Sequence, residues 1–237
     1  MVPAMARARS ATEITSDILL QAYAVGIFPM ADSADDDRLF WVEPERRGVF
    51  PLDGLRISRS LAKLVRAERF AVRHDQDFGA VIAGCAAATP DRPSTWISGR
   101  IHALFEQLWR ERRVHTVEAY ADGQLVGGLY GLRLGGAFFG ESMFHRATDA
   151  SKVCLVHLAA RLRANGFGLL DAQFVTPHLA SLGAVEISRA EYRRRLGQAL
   201  AIQATLPSDG TDERSGAAAL AVLRHPGDND QSRSFLP

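Results

Sequence analysis

The sequence predicts an α+β fold built around a mixed sheet, and three observations carry that prediction. Residues 114–144 hold three strand-like runs, VHTVEAYA, QLVGGLYGLRL and AFFGESMF, separated by Asp122-Gly123 and Gly135-Gly136. Such pairs are the turn signals of antiparallel hairpins. A long helical run, residues 149–164, comes next and is closed by Asn165-Gly166, the residue types that terminate helices. FGLLDAQFV, residues 167–175, is then almost continuously apolar, as a central strand covered on both faces requires. Three antiparallel strands followed by helix, strand, helix and strand describe an α+β domain.

The remaining elements can be taken in chain order. After a loose Ala/Arg/Ser-rich start, residues 14–25 have helical apolar spacing at Ile18, Leu19, Ala22 and Tyr23, with Ser16 as cap and Gly26 as stop. IFPM is extended, and residues 32–37 form an acidic loop. LFWVEP and GVFPL are short and interrupted by proline, which suits edge strands or ordered loops. This front part is too small for its own core and is expected to pack onto the larger domain C-terminal to it. Ser58 caps a helix to about Ala67, apolar at Leu61, Leu64 and Val65 and basic at Arg59, Lys63 and Arg66. FAVRH reads as a strand, residues 77–87 as a helix, and residues 100–112 as another, capped by Ser98. The run at 149–164 is expected to be amphipathic. A short helix HLASLG, a strand AVEIS and a basic helix capped by Ser188 finish the compact part. From about Leu206 the chain is rich in Asp, Ser, Gly and Pro and is expected to be mobile, with helix only at residues 217–224. The domain reading is therefore residues 1–57 as a small N-terminal α/β domain, 58–205 as the main mixed-sheet domain, and 206–237 as a flexible tail.

Composition narrows the classes. A length of 237 residues, 47% of them hydrophobic and 23% charged, is ordinary for a globular enzyme with a proper core. A net charge of +1 excludes a uniformly basic protein, so any nucleic-acid contact must be a local patch. Cys85 and Cys154 lie in helix-like apolar runs without CxxC spacing, which reads as small buried hydrophobes in a reducing cytosol. No apolar run reaches membrane-spanning length, and the start lacks the apolar core of a secretion signal, so the expectation is a cytoplasmic protein. P-loop, HExxH, GxSxG and Cys/His metal patterns are absent, and neither a metal nor a cofactor is expected.

The chemistry concentrates in GGLYGLRLGGAFFGESMFHR, residues 127–146, and in LLDAQF, residues 169–174. Asp171 and Gln173, two apart on a strand, share a face. A carboxylate only accepts hydrogen bonds whereas a carboxamide donates and accepts. Asp171 can therefore fix the Gln173 amide and leave its oxygen free for an incoming amine. Such a pair positions a nucleophile and suits transfer from an activated ester. The plainer reading, a polar pair bonded to neighbouring backbone, carries equal weight on sequence alone. Glu141, leaving a strand after Gly140, can attract a cationic group or simply cap the turn at Ser142. Trp41 and Trp96 sit in irregular segments, FWVEP and STWIS. They either pack in the core or offer flat faces for a nucleobase, where stacking is worth ~1–3 kcal/mol per base. Arg56, Arg59, Lys63, Arg66, Arg69 and Arg73 form a basic cluster with Glu68 its only acid, which is a solvated face or a phosphate track.

Taken together, AYAVGIFPM, FWVEP, ISRSL, FGAVIAGCA, TWIS, LVGGLYG, FFGESMF, ASK, LLDAQ and HLASLGA resemble the leucyl/phenylalanyl-tRNA–protein transferase family, in the family's order and over residues 22–196. The resemblance implies an N-terminal domain joined to an N-acyltransferase-like (GNAT-like) domain, with which the element order agrees. It implies transfer of Leu or Phe, sometimes Met, from aminoacyl-tRNA onto proteins beginning with Arg or Lys, marking them for degradation by the N-end rule. Carried over by motif, Asp171, Gln173 and Glu141 are catalytic. Trp41 and Trp96 contact the terminal adenosine, and Leu129, Phe138 and Met143 line the amino-acid pocket. The helix beginning ISRSL, with Arg56 just ahead of it, faces the tRNA acceptor stem, and the protein is expected to be a monomer. Departures at Phe40, Val42, Glu43, Leu129 and Ala172 bear on amino-acid preference more than on activity. Two other readings compete. An acetyl-coenzyme A N-acetyltransferase would need a pyrophosphate loop, and its nearest match, residues 124–128, lies within a strand. A non-catalytic RNA-binding module would leave the carboxylates without a role.

Overall fold

The computed structural model describes residues 14–36, 38–89, 93–207 and 214–224. The loose start, the far end of the tail and Asp37 of the acidic loop lie outside the described residues. Helix α1 (Ser16–Ala24) leads to a two-stranded antiparallel hairpin of β1 (Phe28–Met30) and β2 (Phe40–Val42). Next along the chain are strand β3 (Arg46–Phe50), helix α2 (Arg59–Arg66), strand β4 (Ala71–His74), and helices α3 (Phe78–Ala86) and α4 (Gly99–Arg110). The predicted meander is β5 (Val114–Ala121), β6 (Gln124–Leu134) and β7 (Ala137–His145). Then come α5 (Ala150–Ala164), β8 (Leu169–Gln173), α6 (Pro177–Ser181), β9 (Val185–Ser188), α7 (Arg189–Leu200) and α8 (Gly216–Leu223).

Seven strands form one sheet in the order β4-β5-β6-β7-β8-β3-β9. All neighbours are antiparallel except β7 and β8, which run parallel, with α5 as the crossover that parallel strands need. The sheet is therefore mixed, as expected. Helices α1, α3, α4 and α7 contribute to the core on one face, and α2, α5 and α8 to the core on the other. Side-chain caps set most helix starts: Ser58, Asp77, Ser98 and Ser188 each accept a first-turn N–H. At α1 the cap is Thr15 and not Ser16, whose hydroxyl donates to Glu111 instead.

Two further expectations change. GVFPL does not form an edge strand, because β3 is inserted between β8 and β9 and Pro51 stands just beyond its last residue, where no ladder bond is lost. The run expected to be amphipathic, α5, is buried around most of its circumference, Arg161 included. The reason lies in the tail. Helix α8 docks on α2 and α5 and buries Ala219, Leu220 and Leu223, which covers the side of α5 that would otherwise meet water.

That docking requires Gly216. A Cβ there would overlap the carbonyl oxygen of Val65. Gly216→Ala must push α8 off α2, and overpacking of this kind costs about 1–3 kcal/mol. Urea unfolding of the full chain is expected to show that loss.

Candidate active site

Strands β7 and β8 pair only from Ala137↔Leu169 to Phe139↔Asp171. Both then run on unpaired with each other, β7 to His145 and β8 to Gln173. On its other edge β7 pairs Gly140 with Gly131 and Ser142 with Tyr130, so Glu141 is an extra, unopposed residue. That is a β-bulge, a device that re-aims side chains beside active sites. A cavity of about 250 Å³ opens where the strands part, lined by Leu129, Met143, Leu155, Leu158, Leu170 and Leu179. Glu141, Asp171 and Gln173 also line it. For scale, a cavity of roughly 150 Å³ already takes up benzene.

Asp171 is fully buried, and its carboxylate is held on every side. Arg47 Nε donates to Oδ1 at 2.9 Å and Nη2 to Oδ2 at 2.5 Å. The Tyr192 hydroxyl donates to Oδ2 at 2.9 Å, and the backbone N–H of Gln173 to Oδ1 at 2.9 Å. Burial, then the Asp171 carboxylate, pushes the Tyr192 hydroxyl far above its ordinary pKa, so it stays a donor. Asp171 thus does not fix the Gln173 carboxamide, as the two-residue spacing suggested. It fixes the Gln173 main chain. The carboxamide nitrogen donates instead to Glu141 Oε1, at 3.3 Å, leaving the amide oxygen free.

The alternation breaks at Gln173, whose φ of 56° lies in the left-handed region. Phe174 N–H donates to the Ala172 carbonyl at 2.6 Å, closing a γ-turn about Gln173. For a non-glycine residue such geometry costs of order 1–3 kcal/mol and persists only where surroundings impose it. Glu141 Oε1 also accepts from the Tyr23 hydroxyl at 2.8 Å, so Glu141 does not cap the turn at Ser142. Burial raises the Glu141 carboxyl to about 8; Asp171 adds to the rise, while Tyr23 and Arg47 oppose it.

The other predicted residues divide. Leu129 and Met143 line the cavity. Phe138 does not, being fully buried in the core cluster that also holds Leu129. Trp41 and Trp96 are half-buried against the core of the opposite face and do not line the cavity either. Arg59, Lys63 and Arg66 are exposed along α2. Arg56 lines a separate, wider groove of about 760 Å³ with Ser58, Ser60, Lys152 and Ser181. That groove shares α5 and α6 with the apolar cavity. Arg47, Tyr192 and Tyr23 escaped sequence reading. Arg47 offered one signal, a guanidinium opening the otherwise apolar strand run GVF.

A strand-parting cavity lined by leucines and Met143, with a few convergent polar groups in its wall, has the form of an enzyme's binding site on an α+β fold. Comparison with known proteins agrees. The family model for leucyl/phenylalanyl-tRNA protein transferase matches residues 49–197, and that for the N-terminal domain of the same family matches residues 12–45. The leucyl/phenylalanyl-tRNA–protein transferase of Afipia carboxidovorans is 55% identical over 221 residues, covering 92% of this chain and 96% of its own. That of Paramagnetospirillum magneticum is 57% identical over 198 residues, 84% of this chain and 95% of its own. The chain belongs to the leucyl/phenylalanyl-tRNA–protein transferase family.

Proposed function

We propose that the protein transfers Leu or Phe, and Met from suitable donors, from aminoacyl-tRNA to the α-amino group of proteins beginning with Arg or Lys, marking them for N-end-rule degradation in the cytoplasm. The observation that carries this reading is the hydrogen bond between Glu141 and Gln173 in the lining of an apolar cavity of about 250 Å³. The donor's side chain occupies the cavity and its ester carbonyl lies at the mouth. The terminal adenosine rests on Trp41 and Trp96, and the acceptor stem runs along Arg56, Arg59, Lys63 and Arg66.

The ester is already activated, so catalysis is mainly positional, and orienting two bound reactants can supply several kcal/mol. The Gln173 amide oxygen accepts a hydrogen bond from the incoming amine, while Glu141 favours its positive charge. The new C–N bond forms as the ester C–O bond breaks. The proton lost by the amine ends on the departing ribose oxygen. A cavity lined by leucines and Met143 separates Leu, Phe and Met weakly, because each methylene is worth only ~1–3 kcal/mol.

The test is label transfer from leucyl-tRNA, without ATP, to matched peptides beginning with Arg, Lys, Asp or Ala. Label on the Arg and Lys peptides alone is expected. Equal label on all four removes the acceptor specificity, and label on none removes the reaction.

A further inference from the structure

Among the described residues, the strained turn at Gln173 ends a chain of contacts that begins at Arg47. Arg47 and Asp171 are 1% and 0% exposed. The guanidinium lies between the rings of Phe28 and Tyr192, at 4.4 and 4.5 Å from their centroids, and its remaining Nη1 donates to the Gly26 carbonyl at 3.0 Å. Each nitrogen of the Arg47 guanidinium is therefore committed, and two of them go to Asp171. From the neighbouring strand, Gly48 leaves room for the turn: a Cβ there would stand 2.9 Å from the Phe174 carbonyl carbon.

Stability alone accounts poorly for this arrangement, because buried ion pairs are often matched by well-packed apolar residues of the same volume. What an apolar pair could not do is accept the Gln173 N–H and hold the left-handed backbone. We infer that Arg47 and Tyr192 are positioning residues of the transfer reaction, acting through Asp171 to hold the γ-turn that presents the Gln173 carboxamide. This inference rests on the reaction proposed above. Neither side chain touches substrate; both set where the amide oxygen stands.

The test uses full-length Tyr192→Phe, which removes one donor and keeps the ring, and Arg47→Lys, which keeps the charge and loses the fork. Three quantities are measured: kcat and KM for leucyl-tRNA and an Arg-starting peptide, the backbone amide resonances of Gln173 and Phe174, and the folded fraction. Misplacing a reacting group by about 1 Å can cost on the order of 100-fold in rate. Tyr192→Phe is accordingly expected to stay folded, keep KM within about twofold and lose about tenfold or more in kcat, with Arg47→Lys losing more. Both amide resonances are expected to move. Unmoved resonances with unchanged kcat overturn the inference, as does a loss of rate equal to the loss of folded protein. If the wild-type chain transfers nothing, the proposed reaction fails, and the resonances still decide whether the clamp holds the turn.

Discussion

Asp171→Ala is expected to abolish transfer and to destabilise the protein by about 3–5 kcal/mol, the usual cost of removing one partner from a buried ion pair. The guanidinium of Arg47 would be left 1% exposed with no carboxylate, and the Tyr192 hydroxyl and Gln173 N–H would lose their acceptor. Urea unfolding and single-turnover transfer measure the two effects separately. The double replacement Arg47→Met, Asp171→Leu discriminates further. With no orphaned charge it should recover much of the stability, yet it should remain inactive because nothing fixes Gln173. Activity returning with stability would mean that Asp171 serves the fold alone.

Glu141→Gln is expected to lower transfer by about 10- to 100-fold, because a hydrogen bond to a charged group is worth about 1.5–3 kcal/mol. The pH dependence gives the sharper reading. With its carboxyl raised to about 8, Glu141 is largely protonated at neutral pH, so wild-type transfer should climb with pH and level off above about 8. The glutamine variant should lack that limb. Stability runs the opposite way. A carboxyl raised above its ordinary value of 4.5 favours the folded state fully below that value, and the contribution is lost as pH rises to about 8. Wild-type stability should therefore decline across that window relative to the variant. A flat difference between them would show that Glu141 titrates elsewhere.

The site is partly legible in the sequence. GESMF and LLDAQ mark its carboxylates and carboxamide, since polar groups in β-forming apolar runs require a reason. Their partners are not legible. Tyr23 lies 118 residues from Glu141 and Arg47 lies 124 from Asp171, so no local spacing connects them. Tyr192 sits in a helix, EYRRRLGQAL, whose basic residues point to charge and conceal the tyrosine buried with Leu196 and Ala199. The family motif implies Phe138 as a pocket wall, but the strand buries it among core residues.

What the sequence determined by itself was local. Hairpin turns at Asp122-Gly123 and Gly135-Gly136, caps at Ser58, Ser98 and Ser188, and apolar periodicity set the elements and the mixed sheet. These are short-range choices made by backbone sterics and single hydrogen bonds. Only the tertiary structure decided that β3 inserts beside β8, that β7 and β8 part after Phe139↔Asp171, and that α8 covers α5. Those outcomes depend on which distant surfaces exclude water together. From them come both the cavity and the Arg47–Asp171 pair that holds the Gln173 main chain in its lining.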